Sequence, residues 1–384
     1  MKICVLTSSR ADYGLLKNLM KLMLEDPKIE LNVLSTGTHE SEEFGLTRKF
    51  IIEDGFEISR SIPIILSDDK DSAMAKSTGK GIILYTEVLE DLKPDYLLIL
   101  GDRFEVLAAA VAALFQKIPI IHLHGGELTF GAFDDAIRHS ISKMSSIHFV
   151  ANSVYKNRLI KMGEDPKFIY NFGGLGVDAI LRLKIKEKKY FEEKLKLKFS
   201  DKNILVTYHP ATLEENNLND LTELINFLKE ISRIEDTSIF ITAANADTAG
   251  RKINKKLSEL AKKSEKIFFE KSLGNQNYIS LMSLCNVVVS NSSSGLLEAP
   301  TLRIPTINIG SRQEGRLRAL SVIDVEPQME EILEAFRKSQ STEFKNILKK
   351  VKNPYGSSKS SEKILNSIKK IGILKSTKKY FYES

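Results

Sequence analysis

Short, almost uninterrupted apolar runs alternate along the chain with longer segments in which apolar residues recur every three or four positions. In the first half the runs are "KICVLTS", "ELNVLST", "YLLILGD", "IPIIHLH" and "SIHFVAN". The second half repeats the scheme with "NILVTYHP", "SIFITAAN", "KIFFEKS", "NVVVSNS" and "PTINIGS". Runs that lack polar alternation mark parallel strands covered by helices on both faces, so the pattern predicts an α/β protein built from two Rossmann-like domains.

At 384 residues the chain exceeds the length at which a single core usually stops growing, which also favours two domains. The stretch "FGGLGVDAI" and the charged segment after it have the glycine content of a hinge. A first domain is therefore expected over 1–173 and a second over 174–360. The breaker cluster "NPYGSSKSS" precedes "EKILNSIKKIGIL", which reads as a last helix within 361–384 whose register fits either domain.

Composition narrows the function classes. A net charge of +6 is spread in mixed-sign runs, and the most basic stretch, "KIKEKKYFEEKLKLK", alternates sign like an exposed amphipathic helix. A basic stripe interleaved with aromatics is missing, so nucleic acid is not an expected partner. No stretch approaches the ~20 apolar residues of a membrane span, and the first apolar run is too short for a signal peptide. Cys4 and Cys285 each sit in an apolar run and read as small buried hydrophobes, consistent with a cytoplasmic location.

In open parallel sheets, ligands bind beyond the carboxyl ends of the strands. There the sequence places "SSRADYG", "LGDRFE", "HLHGGE", "YHPAT", "AANADTAG", "SNSSSGLLEAP" and "GSRQEGR", and a cleft between two domains would gather them. Ser292 and Ser293 read as phosphate donors at a strand-to-helix turn, or as helix N-caps. Glu298 reads as an acceptor for ribose hydroxyls, or as a surface residue. Arg10, Arg103 and Arg312 each follow a strand, where a guanidinium can clamp a diphosphate. His209 closes "VTYH" as a cleft residue or a structural histidine.

The stretch "HLHGGELTFGAFDDAIRH" holds three of the six histidines. Its second half predicts a helix with Phe133, Ile137, Ile141 and Met144 as core stripe. Asp134 is then spaced to pair with Arg138, and Asp135 with His139. A zinc site on His122, His124 and Glu127 is disfavoured, because an H-x-H pair on one strand face lacks a clear third ligand. No metal and no cofactor is expected.

These motifs together, with "FGLT", "DDAIRHSISKMS", "YHPATLE", "NADT" and "INIGSRQEGR", resemble the hydrolysing members of the nucleotide-sugar 2-epimerase family over nearly the whole length. The resemblance implies a GT-B-like fold of two Rossmann-like domains with the active site in the interdomain cleft. It also implies a last helix crossing back to the first domain, and a homo-oligomer, dimer or tetramer. The implied reaction is anti elimination of the nucleoside diphosphate to a 2-acetamidoglycal, then water addition giving a free manno sugar.

On that resemblance Arg10, His209, Ser292, Ser293 and Arg312 serve the diphosphate and Glu298 the ribose, with Arg103 and Asn245 on the same nucleotide side. Asp102, Glu127, Asp134 and Arg138 match acid/base or sugar-positioning places. Many relatives read H-x-E-G-G-E where this chain carries His124, so the base is His124 itself, Asp102 or Asp134. Stretches such as "SVIDVEP" are most similar to enzymes of the legionaminic acid branch, which act on nucleotide-linked 2,4-diacetamido-2,4,6-trideoxyglucose. The alternative within the family is UDP-N-acetylglucosamine, giving N-acetylmannosamine for sialic acid. Outside it stand a GT-B glycosyltransferase and a sugar-nucleotide sensor without turnover.

Overall fold

The computed structural model describes residues 1–42, 45–65, 71–128, 133–209, 217–244, 248–271, 273–356 and 358–383. The chain forms two compact units, one of residues 1–179 and 355–384, the other of residues 180–354.

Unit 1 carries seven strands: β1 (Lys2–Thr7), β2 (Glu30–Thr36), β3 (Ile58–Ile62), β4 (Tyr96–Leu100), β5 (Ile120–Leu123), β6 (Ile147–Val150) and β7 (Ile169–Asn171). They form one parallel sheet in the order β3-β2-β1-β4-β5-β6-β7. Its helices are α1 (Arg10–Leu24), α2 (Lys49–Glu53), α3 (Asp71–Leu92), α4 (Phe104–Phe115), α5 (Asp134–Met144), α6 (Ser153–Lys161) and the start of α7 (Leu175–Arg182). The uninterrupted apolar runs are explained by burial of both sheet faces. Ile3 and Val5 of β1 pack on Leu16, Leu19 and Met20 of α1, whereas Cys4 and Leu6 join the opposite cluster with Tyr85 of α3 and the alanines of α4.

Unit 2 repeats the scheme with helices α8 (Lys188–Lys194), α9 (Asn217–Ser232), α10 (Thr248–Ala261), α11 (Gly274–Ser283), α12 (Ser294–Leu297), α13 (Met329–Gln340) and α14 (Thr342–Lys349). Its strands are β8 (Lys202–Thr207), β9 (Thr237–Thr242), β10 (Ile267–Glu270), β11 (Val287–Ser290), β12 (Thr306–Ile309) and β13 (Val322–Val325), parallel in the order β10-β9-β8-β11-β12-β13. Ile204 and Val206 face one cluster and Leu205 the other.

Three strands escaped the sequence reading: β3, β7 and β13. All are sheet edges, and each keeps partly exposed positions, so none makes an unbroken apolar run. The unit boundaries also lie elsewhere than Gly173 and Gly174. The Gly174 N–H bonds the Tyr355 carbonyl at 2.6 Å, and buried Asp178 accepts the N–H groups of Lys359 at 2.8 Å and Ser361 at 3.1 Å. These bonds tie the outgoing and returning chain to the same unit, so unit 1 keeps 174–179 and regains the chain from 355.

Asp178 thereby supplies two acceptors to the N-terminal N–H groups of α15 (Ser360–Ile371), whose own flanking residue, Lys359, makes no side-chain cap. Ile364, Leu365 and Ile368 of α15 belong to the core of unit 1. Among the described residues, no helix is long and apolar enough to cross a membrane.

Candidate active site

Strand order reverses between β1 and β4 in unit 1 and between β8 and β11 in unit 2, and such switch points are where these sheets take ligands. Arg10, Asp102 and Arg103 follow β1 and β4, and His209, Ser292 and Ser293 follow β8 and β11; His124, Glu127, Asp134 and Arg138 come after β5 and Arg312 after β12.

In unit 1 the loop after β1 is organised by Asp12. Its buried carboxylate accepts from the Ser8 N–H and hydroxyl at 2.8 Å each, the Ser9 N–H at 2.9 Å, the Tyr13 N–H at 2.6 Å and the Thr7 hydroxyl at 3.0 Å. With the Ser9 hydroxyl accepting from the Asp12 N–H, this is a capping box that starts α1. Arg10, the first residue of α1, is exposed, with its guanidinium 4.8 Å from the Phe50 ring centroid. Asp12 was legible as S-x-x-D before an apolar helix, but was not singled out.

The loop after β4 carries Asp102 and Arg103. Arg103 is already engaged: its Nε donates to both Glu105 oxygens at 3.2 and 3.1 Å, and Nη2 donates to Oε1 at 2.7 Å. Glu105 is fully buried, so removing Arg103 leaves an unpaired internal charge. Asp102 forms an ion pair with Arg138, which also lies 3.6 Å from Asp135. The expected Asp134–Arg138 pair is thus replaced: Arg138, itself buried, turns to the loop after β4, while Asp135 and His139 do meet, at 3.5 Å. Asp134 opens α5, where a carboxylate favours the positive helix end. Phe133 precedes the helix and is 59% exposed, so the core stripe is Ile137, Ile141 and Met144 without it.

His122 and His124 do not share a strand face, because β5 ends at Leu123 and His124 takes a left-handed φ of +64°. His122 is fully buried, and burial pushes its pKa down to about 3. The neutral ring donates from Nε2 to the Gly101 carbonyl at 2.8 Å, since a carbonyl can only accept. Its Nδ1 lies 3.1 Å from the Ser142 hydroxyl of α5. His122 therefore links the loop of Asp102 to the helix of Arg138, a role that no sequence spacing revealed.

The two glycines after His124 are required by close approach. A Cβ on Gly125 would lie 2.9 Å from Ser142 Oγ, and one on Gly126, at φ +76°, would lie 2.6 Å from the Tyr155 carbonyl. Glu127 follows, with Oε1 2.9 Å from His124 Nδ1. Among the described residues no group of three His, Cys, Asp or Glu is placed to hold a metal ion.

In unit 2 the ends of β8 and β11 are locked by amide chemistry. The His209 N–H donates to Asn291 Oδ1, and Asn291 Nδ2 donates back to the His209 carbonyl, both at 2.8 Å. The Asn291 carbonyl accepts from Arg312 Nη1 at 3.0 Å and Gln313 Nε2 at 2.9 Å. Asn291 and Gln313 were not expected; their role depends on partners 82 and 22 positions away.

Ser290 fixes the turn by donating to the Thr207 carbonyl at 2.6 Å and accepting the Ser292 N–H at 2.8 Å. Ser293 makes no side-chain cap, and the weak cap that exists is the Ser292 hydroxyl accepting the Ser294 N–H at 3.4 Å. Helix α12 spans only four residues, so its dipole is small, and the Ser292, Ser294, Gly295 and Leu296 N–H groups of the turn are bonded within it. Glu298, immediately after α12, is pushed up to about 7 by burial. Its neighbour Tyr278 lies 2.8 Å from the Ser294 hydroxyl. Asn245 lies outside the described residues.

Comparison with known proteins adds four findings. Residues 21–369 match the family described as UDP-N-acetylglucosamine 2-epimerase. A GDP/UDP-N,N'-diacetylbacillosamine 2-epimerase (hydrolyzing) of Campylobacter jejuni is 43% identical over 90% of this chain and 88% of its own. The corresponding UDP-N,N'-diacetylbacillosamine enzyme of Legionella pneumophila is 36% identical over 96% of both. In fold, the chain is similar to the UDP-GlcNAc 2-epimerase of Neisseria meningitidis solved with UDP-GlcNAc, at a TM-score of 0.79 and 23% identity over 96% of this chain and 100% of the other. The paired Rossmann-like units are therefore of the GT-B-like kind.

Proposed function

The chain belongs to the UDP-N-acetylglucosamine 2-epimerase family and is an enzyme of the hydrolysing 2-epimerase kind; from that premise we propose that it converts a UDP- or GDP-linked 2,4-diacetamido-2,4,6-trideoxyglucose into the free manno sugar and nucleoside diphosphate. N,N'-Diacetylbacillosamine is this 2,4-diacetamido sugar, and the two relatives named for it support the choice over UDP-N-acetylglucosamine. The product suits a condensation that builds a nine-carbon legionaminic-type acid. The glycosyltransferase and sensor alternatives lose their ground, because these relatives are named as hydrolysing epimerases.

The observation that carries the reading is the pair of carboxylates at adjacent strand ends of unit 1, Asp102 held by Arg138 and Glu127 held by His124. The C2 proton has no neighbouring carbonyl to acidify it, so cleavage of the C1–O bond leads. The diphosphate departs with the bonding electrons, and a base takes the C2 proton to leave the glycal. Water then adds at C1 and a proton returns to C2 from the other face.

Arg10, His209, Ser292, Ser293 and Arg312 hold the diphosphate, where developing negative charge gains most from fixed donors. Glu298 accepts from the ribose hydroxyls. Asp102, Glu127, Asp134 and Arg138 work at the sugar. In deuterated water the reaction must release diphosphate and place one deuterium at C2 of the product; retention of the C2 hydrogen refutes it. Offering UDP and GDP forms of both candidate sugars decides among the four pairings.

A further inference from the structure

We infer that His124 is a positioning residue rather than the base: its imidazole is locked as the Nδ1–H tautomer and orients the Glu127 carboxylate, which takes the C2 proton. The inference rests on the function proposed above and assigns one step within it.

Both ring nitrogens of His124 are committed inside unit 1. Nε2 lies 3.3 Å from the Leu175 N–H at the start of α7, and an N–H can only donate, so Nε2 carries the lone pair. The proton is then on Nδ1, which lies 2.9 Å from Glu127 Oε1 and donates to it. The adjoining Cε1 edge lies against Gly174, where even a Cβ would stand only 3.3 Å away. The one nitrogen with a lone pair is thus covered by the chain itself, and taking up a proton there would cost the Leu175 hydrogen bond.

Glu127 is placed differently. Its side chain is 26% exposed against 20% for His124, so what separates the two is that His124 has both ring nitrogens committed while only one Glu127 oxygen receives the imidazole N–H. The backbone around it is held by Arg158, which donates to the Gly126 carbonyl. A carboxylate fixed by a directed hydrogen-bond donor keeps its aim, which is what a base needs. The left-handed backbone of His124 turns the ring away from the direction of the β5 strand and toward both partners. A non-glycine residue there carries backbone strain, a cost met at positions whose geometry is used.

Asparagine is the informative replacement. It tolerates the left-handed backbone, and its amide N–H can replace the Nδ1–H toward Glu127, while it has no basic lone pair. Wild type, His124→Asn, His124→Ala and Glu127→Gln are compared for diphosphate release and for deuterium at C2, with thermal midpoints confirming folding. His124→Asn is expected to keep more than a tenth of wild-type kcat, with His124→Ala and Glu127→Gln each falling at least about a hundredfold. Equal losses in His124→Asn and His124→Ala, or near-wild-type kcat in Glu127→Gln, overturn the inference.

Long-range proton–nitrogen NMR of histidine-labelled protein gives a readout independent of turnover. The Nδ1–H form supports the lock, and the Nε2–H form overturns it. A wild-type enzyme that releases no diphosphate from any of the four substrates would instead refute the proposed function, whatever the tautomer.

Discussion

In unit 1, the acids at the strand ends meet partners from the same unit: Asp102 meets Arg138, Glu127 meets His124, and Glu105 meets Arg103. In unit 2, the matching strand ends carry serines and the amide of Asn291, one guanidinium nitrogen of Arg312 donates to the Asn291 carbonyl, and Glu298 is raised to about 7 by burial. On the proposed function the contrast separates two chemical tasks. A group that must accept a proton at a fixed place needs its charge and direction set in advance by neighbours. A surface that holds a diphosphate needs fixed donors, hydroxyl and guanidinium, whose direction is set before the anion arrives.

Asp102→Asn tests the proton-handling side most severely. On the proposed function kcat falls roughly a thousandfold while the dissociation constant for nucleoside diphosphate moves less than about threefold. Rapid-quench turnover and calorimetry measure the two quantities, and equal losses would erase the distinction between the units.

Acid should act unevenly. Five of the six histidines lie in unit 1, and burial lowers the pKa of His39, His122, His139 and His148 there. A depressed folded pKa means that stability is complete above the unfolded value near 6.5 and is lost as pH falls. For His122, with a folded value of about 3, the loss between pH 7 and 5 is about 2 kcal/mol. Glu164 adds to this at lower pH. Its burial favours the neutral acid, but His148, Lys143 and Lys379 more than offset that and hold it at about 2, so its contribution fades below about 4.5. Hydrogen exchange at pH 5 should show unit 1 opening before unit 2; simultaneous opening contradicts this.

Arg312→Ala should weaken diphosphate binding by about tenfold, the scale of one hydrogen bond to a charged group, and calorimetry reads the change. The smallest effect concerns Glu298. If its carboxylate receives the ribose hydroxyls, substrate affinity falls as pH drops from 8 to 6, by up to about tenfold, and Glu298→Gln flattens the slope. An unchanged slope in that variant would remove Glu298 from the ribose.

Much of the fold was legible because both faces of the central strands are buried, which writes them as apolar runs. The edge strands β3, β7 and β13 were not, since partial exposure breaks the run. At the site, Asp102, His124, Glu127 and Arg138 were visible as residue types at strand ends. Glu105 and Asn291 were missed, and His122 was weighed only as a metal ligand, because a buried polar residue is explained only by its partners.

The amino-acid sequence by itself determined the alternation of strands and helices, the two-domain build, and which loops carry chemistry, because these follow from local periodicity and from residues beside strand ends. Only the tertiary structure decided which charges meet. Arg138 chose Asp102, 36 positions away, over Asp134 four positions away, and His124 found the Leu175 N–H across 51 positions. Such choices depend on which strand ends lie side by side in the sheet. Burial there makes an unpaired charge or N–H costly, so the fold selects the partner that spacing along the chain cannot reveal.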